Sequence, residues 1–225
     1  LKELVDLWLI EAKKNNVLPL IDVDVHTLHE MEFHAEAPAS GRYAYYPGTT
    51  EVPEASAART LGASFKALAE VEFTKDTQGV IFAQGSRFGG YSLFVKGGKV
   101  VFVYNFLGIP PEQRLEFDAP KSGKHIVGVE FSKESVSKNL ETLGQMKLYV
   151  DEKEVSKGAF RTQSGHYSLC GEGLCVGYDG GDAVSNEYNS KFEFKGGEVI
   201  KVVFDIANDT YVNVEQKMAT AMARD

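Results

Sequence analysis

Thirty residues, Gly79 to Gly108, constrain this chain more than any others: GVIFAQGSRFGGYSLFVKGGKVVFVYNFLG. Strand side chains alternate between the two faces of a sheet. Tyr91, Leu93 and Val95 therefore share one face, and Ser92, Phe94 and Lys96 the other. Past Gly97-Gly98, the side chains of Val100, Phe102, Tyr104 and Phe106 lie opposite those of Val101, Val103 and Asn105. Both faces are largely apolar. That pattern predicts strands inside a sandwich, one face on a second sheet and the other covered by a loop, a helix or a partner. Gly97-Gly98 supplies the positive φ angles of a tight hairpin.

Further strands are predicted around this pair, at 79–84, 90–96, 99–106, 124–131, 145–151, 154–160 and 191–194. Glu152-Lys153 is read as the turn of the 145–160 hairpin. In Phe65–Phe73, Lys66, Leu68, Glu70 and Glu72 alternate with apolar residues, a half-exposed strand. The last strand sets Ile200, Val202, Phe204 and Ile206 on one face. No helix-length periodic segment separates consecutive strands, so the spacing favours an antiparallel sandwich over a βαβ arrangement. No internal repeat is evident.

The first twenty residues differ in kind. In LKELVDLWLIEAKKNNVLPL, Leu1, Leu4, Val5, Trp8 and Ala12 follow the spacing of an amphipathic helix. Leu7, Leu9 and Ile10 widen the apolar surface, Glu3 and Lys13-Lys14 suit the helix dipole, and Asn15-Asn16 with Pro19 stop the helix. Such a helix is built to pack on a larger body or to cover one end of the sandwich. Residues 35–60, rich in Ala, Pro, Gly, Ser and Thr, read as an irregular lead-in with one short strand at Arg42–Tyr46.

Composition narrows the function. The net charge of −8, with scattered Lys and Arg, argues against nucleic-acid binding. No apolar run approaches the roughly 20 residues that span a bilayer, so no membrane partner is expected. Cys170 and Cys175 are spaced for a short-loop disulfide, with the plainer reading being two reduced thiols of an intracellular protein; localisation is left open, the cytoplasm being the weakly favoured compartment.

Each candidate chemistry has a plainer reading beside it. His26, Glu30 and His34 would share a helical face and hold a metal, with His29 nearby, but solvated residues near a domain junction explain them more simply. Asp179, Asp182 and Glu187, in and beside a glycine-dense segment, are hard oxygen ligands suited to Ca²⁺, against a default of a turn-rich loop at the sandwich rim. Arg87, Tyr91, Tyr104 and Asn105 are the candidate ligand-binding set: on a concave sheet face they would bind a sugar by ring stacking and planar hydrogen bonds. No carboxylate pair stands out for glycoside hydrolysis, and no G-x-S-x-G turn occurs. No catalytic residue and no metal site is assigned.

Several motifs, in order, resemble the C-terminal region of bacterial arylsulfatases. The opening helix resembles the one that closes the sulfatase catalytic domain. Tyr45–Glu54 (YYPGTTEVPE) resembles the connector after it. FAQGSRFGGYSLFVKGGKVVFVYNFLG, LYVDEKEVSKG and VGYDGGDAVSNEY resemble successive pieces of the appended sandwich. The resemblance implies an all-β fold, an antiparallel jelly-roll sandwich of the concanavalin-like lectin/glucanase type with a short N-terminal helix. It implies a division into helix 1–20, connector 21–60, sandwich 61–210 and tail 211–225, the tail partly helical. It also implies a parent enzyme that hydrolyses sulfate esters with a formylglycine and a divalent metal such as calcium. That equipment is not in this chain. The family's C/S-x-P-x-R motif would need Cys or Ser two residues before a proline, where Val17, Glu36, Tyr45, Glu51, Gly108, Ile109 and Asp118 stand. The expected role is a non-catalytic accessory domain, without cofactor, whose partner is the sulfatase domain of the same polypeptide. The alternative is a carbohydrate-binding, lectin-like module.

Overall fold

In a computed structural model of the chain, residues 1–15, 17, 41–163 and 172–207 are described below. His26, His29, Glu30, His34, Cys170 and the 211–225 tail lie outside them. The chain divides into two compact units, Leu1–Ala37 and Pro38–Asp225.

In the first unit, α1 runs from Lys2 to Lys14 and closes with Asn15 Nδ2 donating to the Glu11 carbonyl at 2.8 Å. Ala12 is buried, while Leu4, Leu7, Trp8 and Ile10 are exposed.

The second unit is built from β1 (Gly41–Tyr45), β2 (Phe65–Ser86), β3 (Gly89–Lys96), β4 (Lys99–Asn105), β5 (Gln113–Asp118), β6 (Gly123–Val136), β7 (Thr142–Val150), β8 (Lys153–Thr162), β9 (Leu174–Val176) and β10 (Lys195–Ile206). One sheet, A, has the order β1-β10-β2-β6-β7-β8, and the other, B, the order β9-β2-β3-β4-β5, all antiparallel. The fold is an antiparallel jelly-roll sandwich of the concanavalin-like type.

β2 belongs to both sheets. The strands expected at 65–73 and 79–84 are one element: its first part pairs β10 and β6 through Phe73, and its second pairs β3 from Gly79. At the corner Thr77 Oγ1 accepts from Thr74 N (2.8 Å) and donates to the Gly196 carbonyl (2.6 Å). Gly196 has φ +68° there, a conformation glycine adopts without cost.

Between the sheets, Phe82 meets Phe204 edge to face at 5.3 Å, and Tyr91 lies against Phe102 and Phe204 at 6.4 Å from each. Ala67 and Ala69 leave room for these rings on the facing strand. At about 25 cal/mol per Å², burial of such rings is the main stabilising term.

The outer face of sheet B is covered as its apolar pattern requires. Phe94, Val101 and Val103 pack under Val184, Tyr188 and Phe192 of the segment between β9 and β10. Residues 191–194, expected as a strand, are part of this cover, where Lys191 instead makes an isolated bridge to Asp179. The outer face of sheet A departs from its half-exposed expectation. Lys66 is buried because its ammonium faces Glu130 at 3.3 Å and sits over the Tyr149 ring at 4.6 Å. Gly128 makes room beside it, since a Cβ there would stand 2.7 Å from Leu68 Cδ2.

β1 draws 41–45 of the expected connector into sheet A by pairing with β10, with Tyr43 and Tyr45 packed on the core. The β3–β4 turn has Gly97 and Gly98 at φ +58° and +75°, as expected. The β7–β8 turn sits one residue earlier than expected, on Asp151 and Glu152 at φ +47° and +71°. Asp151 holds its unfavourable angle because its carboxylate accepts from Ile126 N at 2.9 Å.

Candidate functional site

The four residues predicted to form a sugar-binding face are separated by the fold. Tyr91 and Tyr104 are fully buried on the inner face of sheet B. Tyr91 donates its hydroxyl to Gln84 Oε1 at 2.6 Å, and the Tyr104 hydroxyl accepts from Gln163 N at 2.9 Å. Burial pushes both phenols far above their ordinary pKa. Both rings point between the sheets, and each hydroxyl has an internal partner, so neither ring is placed to stack on a ligand as expected.

Arg87 and Asn105 are brought together at one rim. Asn105 is buried where β4 ends and clamps three loops. Its Nδ2 donates to the carbonyls of Arg87 and Val184, each at 2.9 Å, and its Oδ1 accepts from Gly108 N at 2.9 Å. It positions the rim rather than touching solvent. Gly108 (φ +69°) lies so close to the β2–β3 turn that a Cβ would stand 2.9 Å from the Arg87 carbonyl.

The clamped loops present an exposed surface. Phe88 is 54% exposed, Leu107 and Ile109 each 47%. The Arg87 guanidinium lies over the Phe88 ring at 4.9 Å and pairs with Asp182 at 3.0 Å. An aromatic face beside a planar cation and a carboxylate is a combination suited to a polyol with one apolar face. Sequence reading passed over Phe88. Its signal was a large aromatic in a turn between two strands, where no core position exists for it.

The three acidic residues suggested for Ca²⁺ do not converge. Asp182 is taken by Arg87, and Glu187 by Arg114 at 2.5 Å. Asp179 is buried under the cover segment, accepting from Val184 N at 2.9 Å and the Tyr188 hydroxyl at 2.5 Å. Burial raises its pKa to about 6, and the nearby carboxylates of Glu172 and Glu51 add to the rise. Among the described residues no group of three or more His, Cys, Asp or Glu side chains is placed to hold a metal. Cys175 is a free, buried thiol whose pKa burial pushes up.

A second concavity lies on the opposite flank. A groove of 590 Å³ is lined by Phe117, Pro120, Val150 and Val155 together with Asp118, His125, Asp151 and Lys153. His125 Nδ1 is 2.6 Å from Asp151 Oδ2 and its Nε2 is 3.1 Å from the Ser122 carbonyl. Both ring nitrogens face acceptors, which favours the imidazolium and raises the pKa, chiefly through Asp151.

No protein-family model and no curated protein matches the chain. Solved structures do. The K499G mutant of the NanB sialidase from Streptococcus pneumoniae overlays 80% of the chain at TM-score 0.50 and 10% identity. The chain spans 27% of that sialidase. The overlay shows the fold. The LG4-5 domains of the mouse laminin alpha1 chain overlap 73% of the chain and 38% of their own length, at TM-score 0.38 and 11% identity. The receptor binding domain of a botulinum neurotoxin C/D mosaic serotype overlaps 71% of the chain and 36% of its own, at TM-score 0.42 and 11% identity.

Proposed function

We propose that this chain is a non-catalytic, lectin-like module that binds carbohydrate at the rim built by Arg87, Phe88, Leu107, Ile109 and Asp182. The observation that carries the reading is Phe88: a half-exposed ring held against an ion-paired guanidinium on loops that Asn105 clamps. Preorganised loops reduce the ordering cost of binding, which matters for weak, polar ligands. The fold likeness to part of a sialidase supports a sandwich compatible with this role, and function rests on the rim itself. Glycan-array screening of the full chain, followed by titration of the best glycan, tests it. Phe88→Ala is expected to abolish retention while leaving thermal unfolding nearly unchanged, because surface substitutions typically change stability by about 0.5 kcal/mol or less. No retained glycan, or full retention by the variant, would sink the proposal.

The second reading is an accessory domain of an arylsulfatase-like enzyme. The observation favouring it is α1, where Leu4, Leu7, Trp8 and Ile10 are exposed as on a helix made to pack against another body. Its test is turnover of a chromogenic aryl sulfate by a longer protein containing this chain, with and without residues 61–225. Loss of folding or activity on truncation supports it. Unchanged activity and stability refute it.

A further inference from the structure

The rim pair Arg87 and Asp182 comes from two loops that one amide holds together. Asn105 Nδ2 donates to the Arg87 carbonyl in the β2–β3 turn and to the Val184 carbonyl near Asp182, each at 2.9 Å. Within the second loop, Asp182 N donates to Glu172 Oε1 at 3.0 Å. The backbone on both sides of the pair is therefore fixed before any ligand arrives. Arg87 Nε stands 3.0 Å from Asp182 Oδ2, yet the two side chains are 61% and 44% exposed. One carboxylate covers only one edge of a guanidinium with five N–H donors. The remaining polar edge faces solvent beside Phe88, Leu107 and Ile109.

The charge balance around this pair is negative. Arg87 is matched by Asp182, and Arg161, over the Phe106 ring at 4.3 Å, is matched by Glu141 at 3.0 Å. Glu112 and Glu172 have no such cation among the described residues. Glu112 accepts from the Ser185 hydroxyl at 2.7 Å and from Asn186 N at 2.9 Å, and Glu172 accepts from Asp182 N. These neutral donors fix both carboxylates in place and leave their charge uncancelled.

From this balance we infer that the rim selects neutral glycans, gripping two adjacent ring hydroxyls between Arg87 and Asp182; the inference rests on the carbohydrate reading of this site. One hydroxyl accepts from the guanidinium, and its neighbour donates to the carboxylate. Adjacent hydroxyl oxygens of a pyranose are separated by about the length of a hydrogen bond, which is the spacing of Nε and Oδ2 here. The C–H surface of the same ring meets the exposed apolar surface of Phe88, Leu107 and Ile109. A sulfated, sialylated or uronic sugar adds an anion beside three carboxylates that one guanidinium cannot balance. Asp182 is thus the residue that sets the preference.

The test prints neutral glycans beside their sulfated and sialylated derivatives, probes the array with the full chain, and titrates the tightest matched pair by calorimetry. The neutral member is expected to bind about fivefold more tightly or better at low salt, with the gap narrowing as salt rises. Asp182→Asn should bring the ratio toward one. Glu112→Gln, which leaves the gripping pair intact, should lower the ratio while the neutral glycan binds as before. A neutral glycan with its hydroxyls O-methylated should not be retained. Tighter binding of the acidic derivatives, equal affinity within the pair, or a ratio unchanged in both variants overturns the inference and leaves the rim reading standing. Retention of the O-methylated glycan does the same. Silence of every glycan, or full retention by Phe88→Ala, removes the rim reading and this inference together, so the two failures are told apart.

Discussion

Asp179→Asn should stabilise the protein at pH 8 and lose about half of that advantage by pH 5. Asp179 is 2% exposed beneath the cover of sheet B, and its pKa stands at about 6 against an ordinary 3.8. The sign follows from linkage. A carboxyl whose folded pKa is raised binds its proton more tightly folded than unfolded, so folding is favoured as pH falls from about 6 toward 3.8. The gain is complete below the unfolded value and absent above the folded one. The difference between the two pKa values corresponds to about 3 kcal/mol carried as a cost at neutral and alkaline pH. Asparagine removes the charge yet keeps an oxygen that can accept from Val184 N and the Tyr188 hydroxyl. Its amide nitrogen is also better suited than an anion to the neighbouring Glu172 and Glu51. Urea unfolding of both proteins, followed by far-ultraviolet circular dichroism at pH 8 and pH 5, isolates this residue, because other carboxylates cancel in the difference. A variant less stable than its parent at pH 8, or a gap that does not change with pH, would refute the reasoning.

Asn105→Ala leaves two carbonyls and one amide of the rim without their partner. At about 1–3 kcal/mol for a buried polar group left unsatisfied, a loss of several kcal/mol is expected. Hydrogen exchange should rise at 87–88, 107–109 and 182–184 first; uniform exchange would contradict the clamp. His125 should titrate above the ordinary 6.5 by NMR, and Asp151→Asn should lower its pKa. The stability from this pair is present below 6.5 and lost as pH rises through the folded value; an unmoved pKa in the variant would exclude Asp151 as the cause. Gly98→Ala, at φ +75°, should cost about 1–2 kcal/mol without altering the sheet, measured by chemical denaturation. A neutral effect would mean the turn adopts another geometry.

Much of the sandwich was legible because its strands carry their burial in period two. The doubly apolar β3 and β4 announced a cover over sheet B, and the fold supplies one in Val184, Tyr188 and Phe192. β5 escaped notice. Its sequence QRLEFD follows two prolines and has only Leu115 and Phe117 to point inward, too short an alternation to separate from a loop. β9 hid in a glycine-dense stretch because three residues carry no period, and it exists only through pairing with β2. The candidate site was half legible. Arg87 and Asn105 do meet at a rim, but composition could not tell a buried tyrosine from an exposed one, since both faces of the sheet read as apolar.

By itself, the order of residues determined the class of fold, the hairpin at Gly97-Gly98, the helical opening and the absence of a sulfatase nucleophile motif, because each is a matter of local period, local stereochemistry or the presence of a residue type. Only the tertiary structure decided which aromatics are core, that Asn105 holds three loops, that His125 meets Asp151, and that β5 and β8 leave a groove between them. Those relations join residues tens of positions apart. They are set by how two twisted sheets close on one another, and no window along the chain contains that closure.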